Sequence, residues 1–96
     1  MRIIKYIVGD LNNGDLDAYN TQQGAMDAFK DAVDEGTTCN IEVIGEEGCQ
    51  WKTEEEAREA AKDFFYVKKF TINYDKDKEV EWQETVYLIE PNNGVL

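Results

Sequence analysis

The sequence predicts an α+β, two-layer fold: an antiparallel sheet of five to six strands with two helices on one face, in the order ββαββαββ. Three observations carry this expectation. Two segments show helical apolar spacing behind a capping threonine. Three pairs of segments read as hairpins. At 96 residues the chain makes one domain, residues 1–96.

Arg2 to Leu11, rich in Ile, Tyr and Val, reads as the first strand. Asn12-Asn13-Gly14 signals a turn, and Asp15 to Tyr19 is its short return strand. Thr21 caps a helix running to about Glu35, with an apolar stripe of Ala25, Ala28, Phe29, Ala32 and Val33 and with Gly36 at the C′ position. Thr38 to Ile44 alternates, placing Cys39, Ile41 and Val43 on one strand face. Gly45-Glu46-Glu47-Gly48 is a turn, and Cys49 to Trp51 a short return strand. Thr53 and Glu56 form a capping box for a second helix carrying Ala57, Ala60, Ala61, Phe64 and Phe65.

Counted from each threonine, both helices place apolar residues at +4, +7, +8, +11 and +12, with an aromatic residue, Tyr19 or Trp51, two positions before the cap. This reads either as an internally duplicated ββα unit or as two ordinary capped amphipathic helices. Lys69 to Asp75 and Glu79 to Glu90 make a third hairpin with Asp75 opposite Glu79. Phe70, Ile72, Tyr74, Val80, Trp82, Val86 and Leu88 then share one face, the pattern of a sheet buried on one side. The first strand is apolar on both faces, which fits either a far face partly covered by Val95 and Leu96 or a contact with a partner or a second copy. Either a monomer or a homodimer is compatible with that.

Composition narrows the function. Ten basic residues against 21 acidic give a net charge of −11. No broad basic face is available to displace phosphate counterions or to bind anionic lipid, so direct nucleic-acid and membrane binding are not expected. No apolar run reaches the 18 residues of a membrane span. The opening segment breaks at Lys5, ends at Asp10 without a small-residue cleavage site, and reads as a strand rather than a leader. The expected location is the cytoplasm, or the host cytoplasm for a phage-encoded chain. The chain holds no His and no Ser, which removes the serine-hydrolase triads and His general bases. Cys39 and Cys49 have no further thiol or His to complete a zinc site, and hairpin geometry keeps them too far apart for a disulfide. Both thiols are expected free and buried. Asp10 to Asp17 departs from the EF-hand ligand order, and Asp75, Asp77 and Glu79 sit in a tight hairpin without glycine. No metal, cofactor or enzymatic role is expected, and glycosidase chemistry from paired carboxylates is set aside for lack of other polar machinery.

The acids themselves are the candidate site. Asp27, Asp31 and Asp34 recur at i, i+4 and i+7 on the first helix with Glu35 beside them, and only Lys30 offsets them. Like charges at this spacing cost a helix a few tenths of a kcal/mol per pair. The second helix instead balances acids with bases, Glu54 with Arg58 and Glu59 with Lys62. Asp15 and Asp17 in the first hairpin and Glu46 and Glu47 in the second turn add to the surface. The expected partner-binding residues are Asp15, Asp17, Asp27, Asp31, Asp34, Glu35, Glu46 and Glu47. The expected partner is a basic, nucleic-acid-binding protein, because dense carboxylates accelerate encounter with such a surface.

In chain size and in its acidic runs (Asp27, Asp31, Asp34; Glu46, Glu47; Glu54, Glu55, Glu56) the sequence resembles small phage and mobile-element anti-defence proteins of the anti-CRISPR and DNA-mimic type. The resemblance implies an inhibitor of a host defence nuclease complex. An immunity protein or antitoxin against a cognate nuclease uses the same electrostatics, and a small-molecule-binding module is the third class compatible with the fold.

Overall fold

The structure is a computed structural model and describes residues 1–91. Its elements are β1 (Arg2–Asp10), β2 (Gly14–Tyr19), α1 (Gln22–Glu42), α2 (Glu54–Phe64), β3 (Phe65–Tyr74) and β4 (Val80–Ile89). They form one antiparallel sheet in the order β2-β1-β3-β4 with two helices. The α+β class stands. The expected five to six strands and the order ββαββαββ do not: the chain runs ββααββ with four strands.

The missing hairpin explains the difference. Gly36 does not end α1, which continues through Thr38 to Glu42, so the alternating segment 38–44 begins as helix and finishes as turn. Thr37 Oγ1 donates to Val33 O at 2.6 Å and Thr38 Oγ1 to Asp34 O at 3.1 Å. These bonds to the preceding turn satisfy the two hydroxyls within the helix. Asn40 Nδ2 donates to Ala57 O at 3.0 Å, tying the extension to α2. The Asn40 side of the segment thus meets a helix instead of pairing with a strand. Cys49 to Trp51 forms no strand either, and the second ββα unit of a duplication is absent.

Glycine at 36 serves packing. A Cβ there would lie 3.2 Å from the Phe65 ring and 3.3 Å from Ala61 Cβ, so its absence lets α1 pass close to α2 and the start of β3. The helix ends later, at Val43, and Gly45 and Gly48 take positive φ in the turn that follows. α2 begins as its capping box predicts, with Thr53 Oγ1 accepting from Glu56 N at 3.1 Å. It gives way at Phe65, which starts β3 rather than closing the helix.

Val8, Ala25 and Val67 are the buried centre of the core, with Tyr6, Tyr19, Met26, Phe29, Leu88 and Ile89 around them. β1 is central, between β2 and β3. Tyr74 opposes Val80 as expected, but Asn73 opposes Trp82 and Ile72 opposes Gln83. Glu81 is an extra residue on β4, a bulge that moves Trp82 and Val86 to the face of Thr71 and Asn73 and away from Phe70 and Ile72. Leu88 is a second extra residue near the far end. Val95 and Leu96, expected against the far face of β1, lie outside the described residues.

The sheet reaches well beyond the helices. The principal extents are 58 × 26 × 17 Å and the radius of gyration is 16.5 Å, against about 13 Å for a compact domain of this length. No helix of the described residues is long and apolar enough to cross a membrane.

Candidate acidic interface

Charge is unevenly divided between the layers. Residues 22–64, the helical layer, hold 12 carboxylates against four basic residues, a balance of −8 out of −11. Within it α1 turns Ala25, Val33 and Thr37 inward, and the opposite face carries the acids. Asp27, Asp31, Glu35, Thr38 and Glu42 are all exposed. The ridge from Asp27 to Glu42 spans roughly 22 Å at 1.5 Å per residue, with about one carboxylate per turn. α1 has no acid in its first turn and no base in its last, so the dipole gains nothing from these charges. Gln23 Nε2 donates to Asp27 Oδ1 at 2.8 Å and steadies the first of them.

Three of the expected residues converge on one cleft. Asp17 of β2 and Asp31 and Glu35 of α1 line a cavity of about 240 Å³ with Leu16, Tyr19, Ala28 and Ala32. Glu46 and Glu47 stand exposed in the turn after α1, between Gly45 and Gly48, and continue the acidic edge beyond Glu42.

Two expected residues are engaged inside the molecule. Asp34 accepts from Arg58 Nη1 of α2 at 2.9 Å, and both side chains are about half exposed. It helps to join the helices, and the bridge neutralises it. Asp15 points to the sheet face opposite the helices. There it accepts from Tyr66 Oη at 2.6 Å and pairs with Lys68 Nζ at 2.9 Å. Partial burial raises the Asp15 pKa, but the Tyr66 hydroxyl and the Lys68 ammonium outweigh it and hold the carboxyl below its ordinary range. Burial and the adjacent Asp15 carboxylate push the Tyr66 phenol well above its usual value. Asp10, in the turn acids of the first hairpin, is buried and accepts from the backbone N–H groups of Asn12 and Asn13 at 2.9 and 2.7 Å. Burial raises its pKa, and these bonds bring it below the ordinary range.

The first turn of α2 adds Glu54, Glu55 and Glu56, where the helix dipole favours acids. Beside them lies a feature that sequence reading did not mark as functional. Trp51, Glu55, Glu56, Glu59 and Asp63 line an open depression of about 650 Å³ together with Gln50, Arg58 and Ala60. Trp51 Nε1 donates to Asn40 O at 2.8 Å, which fixes the indole. An anchored aromatic ring ringed by carboxylates suits a guanidinium, which stacks on the ring and bonds the acids. The sequence signal was present: Trp51 precedes a run of three glutamates.

Both thiols are free, as expected, but Cys39 is exposed on α1 and Cys49 is half-buried in the connection to α2. The expectation that both are buried came from assigning Cys39 to a strand. Comparison with known proteins finds no matching family model, no matching curated protein and no matching solved structure.

Proposed function

We propose that this chain is an acidic interaction protein whose helical layer docks on a basic, nucleic-acid-binding protein and occupies the surface that would hold the phosphate backbone. The observation that carries this reading is the concentration of −8 in residues 22–64, with Asp27, Asp31 and Glu35 exposed along one helix. A helix bears such repulsion without local compensation when another surface supplies it. Linear carboxylates one turn apart offer a groove built for phosphates the charge it is built to meet. Asp17, Asp27, Asp31, Glu35, Glu46 and Glu47 form the proposed contact, with Trp51 as the anchor for an arginine. Asp15 and Asp34 are left out because each is paired within the fold. A host defence nuclease complex is the partner class that the anti-defence resemblance implies.

The test is affinity capture with the parent chain and with the triple variant Asp27→Asn, Asp31→Asn, Glu35→Gln, followed by competition with duplex DNA. The reading predicts a basic partner that the parent retains, that DNA displaces, and that the triple variant loses. Equal retention by the variant, or a partner indifferent to DNA, overturns it.

A further inference from the structure

The helices pack on one face of the sheet. Val8 and Val67 meet Ala25 of α1 there, so strand alternation sends Ile3 and Ile7 of β1 and Phe70, Ile72 and Tyr74 of β3 to the opposite face. The register of β3 with β4 adds Tyr87, the partner of Lys68. Ile3 is 39% and Tyr87 44% exposed, and the other four are half-buried. The result is a broad apolar surface on the side away from the helical layer.

Charge is nearly absent from it. The chain has 21 acidic side chains, and within the strands this face carries Asp15 alone, paired with Lys68 at 2.9 Å. Glu84 lies with Thr71 on the helix side, and Glu81, the extra residue of the bulge, accepts from Asn73 Nδ2 at 2.9 Å on that same side. Lys5 is the remaining charge, and its ammonium donates to Asn20 Oδ1. Two lysines and one aspartate leave +1 on the face of a chain of −11. A surface for a different partner can carry any charge. A two-fold interface sets a surface against its own image, so net charge on it is repelled.

Size agrees with the charge. Four strands about 4.8 Å apart and up to ten residues long at about 3.3 Å each, with β2 shorter, give roughly 550 Å² in plan. Two copies give roughly 1,100 Å², where a specific interface needs roughly 1,000 Å². A single helix about 10 Å across would cover half of the width of roughly 19 Å. A second four-stranded sheet covers all of it.

We propose that this face packs against the same face of a second copy, sheet on sheet, about 10 Å apart with the strands within about 30° of each other. The two acidic helical layers then lie on the outer sides of the sandwich, and each stays open to a basic partner.

Sedimentation equilibrium of the unaltered protein should show this dimer. Each copy carries −11 and the face offers no unpaired acid, so salt screens repulsion and removes no attraction. The dissociation constant should fall at least about threefold between low salt and about 0.5 M, where the Debye length shrinks to a few Å. A basic partner on the helical layer should be released over the same range. Ile3→Glu with Thr85→Glu charges the face. Arg2→Gln with Val86→Glu makes the same change of −2 on the other side of the same two strands. All four positions are exposed in the single chain, so both variants should keep a native circular dichroism spectrum. In about 0.5 M salt the first pair should weaken the dimer at least tenfold, and the second no more than twofold. A dimer weakened equally by both pairs, or a parent chain monomeric up to about 100 µM in that salt, would overturn the proposal. With a monomeric parent, binding of an apolar dye only after removal of residues 92–96 would assign the face to Val95 and Leu96, and binding with or without them would leave it to another protein. Either result leaves the partner-binding reading untouched.

Discussion

At Gly9 a single hydrogen replaces what any other residue would put into the Tyr66 side chain. A Cβ there would lie 2.3 Å from Tyr66 Oη and 2.4 Å from Gly14 O. Tyr66 is thereby free to cross β1 and reach Asp15. Gly9→Ala should cost about 2 kcal/mol or more, because one contact is to backbone that cannot swing away. Urea denaturation checks this, and an unchanged midpoint would contradict it. The same cluster sets a pH dependence. The folded pKa of Asp15 is depressed, so its contribution is present above the unfolded carboxylate pKa of about 4 and is lost as pH falls through the folded value. Asp15→Asn should therefore lower the urea midpoint at pH 6 and much less at pH 2. An equal loss at both pH values would show that ionisation of Asp15 contributes nothing. These roles were not legible in sequence. Asp15 and Tyr66 stand 51 positions apart and Asp34 and Arg58 24 apart. Composition marks both aspartates as acids but cannot show which are already paired.

Helix α1 shows where local pattern and tertiary packing part. Gly36 fits a C-cap and Thr38 to Ile44 fits a strand, yet both readings fail together, because α2 lies beside this stretch. The absence of a Cβ at 36 and the Asn40 link to Ala57 each favour helix here. Neither has a signature within a window of ten residues. What was legible were features with local causes: the Thr21 and Thr53 caps, the first hairpin turn, and the third hairpin apart from its two bulges. Two opposing effects meet at position 36. Gly36→Ala gains about 1 kcal/mol of helix propensity and tightens contacts already at 3.2–3.3 Å, so the change should stay within about 1 kcal/mol of zero. Gly36→Leu should cost about 2 kcal/mol or more, because the longer side chain forces the helices apart. Thermal unfolding of both variants decides. A stabilised Gly36→Leu chain would mean that the helices do not approach here.

The whole molecule divides into an acidic helical layer and a less charged sheet that extends past it. The total of −11 and its concentration in one layer were visible once residues 22–64 were known to be helix, turn and helix. Self-repulsion of that layer should make the fold more stable in salt. The melting temperature should rise between low salt and about 0.5 M, where the Debye length shrinks to a few Å, and a fall would contradict the charge account. Partner binding should respond in the opposite sense. Asp27→Asn, Asp31→Asn, Glu35→Gln removes three like charges and should leave stability unchanged or raised by up to about 1 kcal/mol. The most direct measurement is the affinity of this triple variant for the captured basic partner, set beside that of the parent. The account predicts at least a tenfold loss, about 1.4 kcal/mol over three contacts, in a chain that melts no lower than the parent. Affinity within twofold of the parent would contradict it, leaving the ridge a solvated helix face.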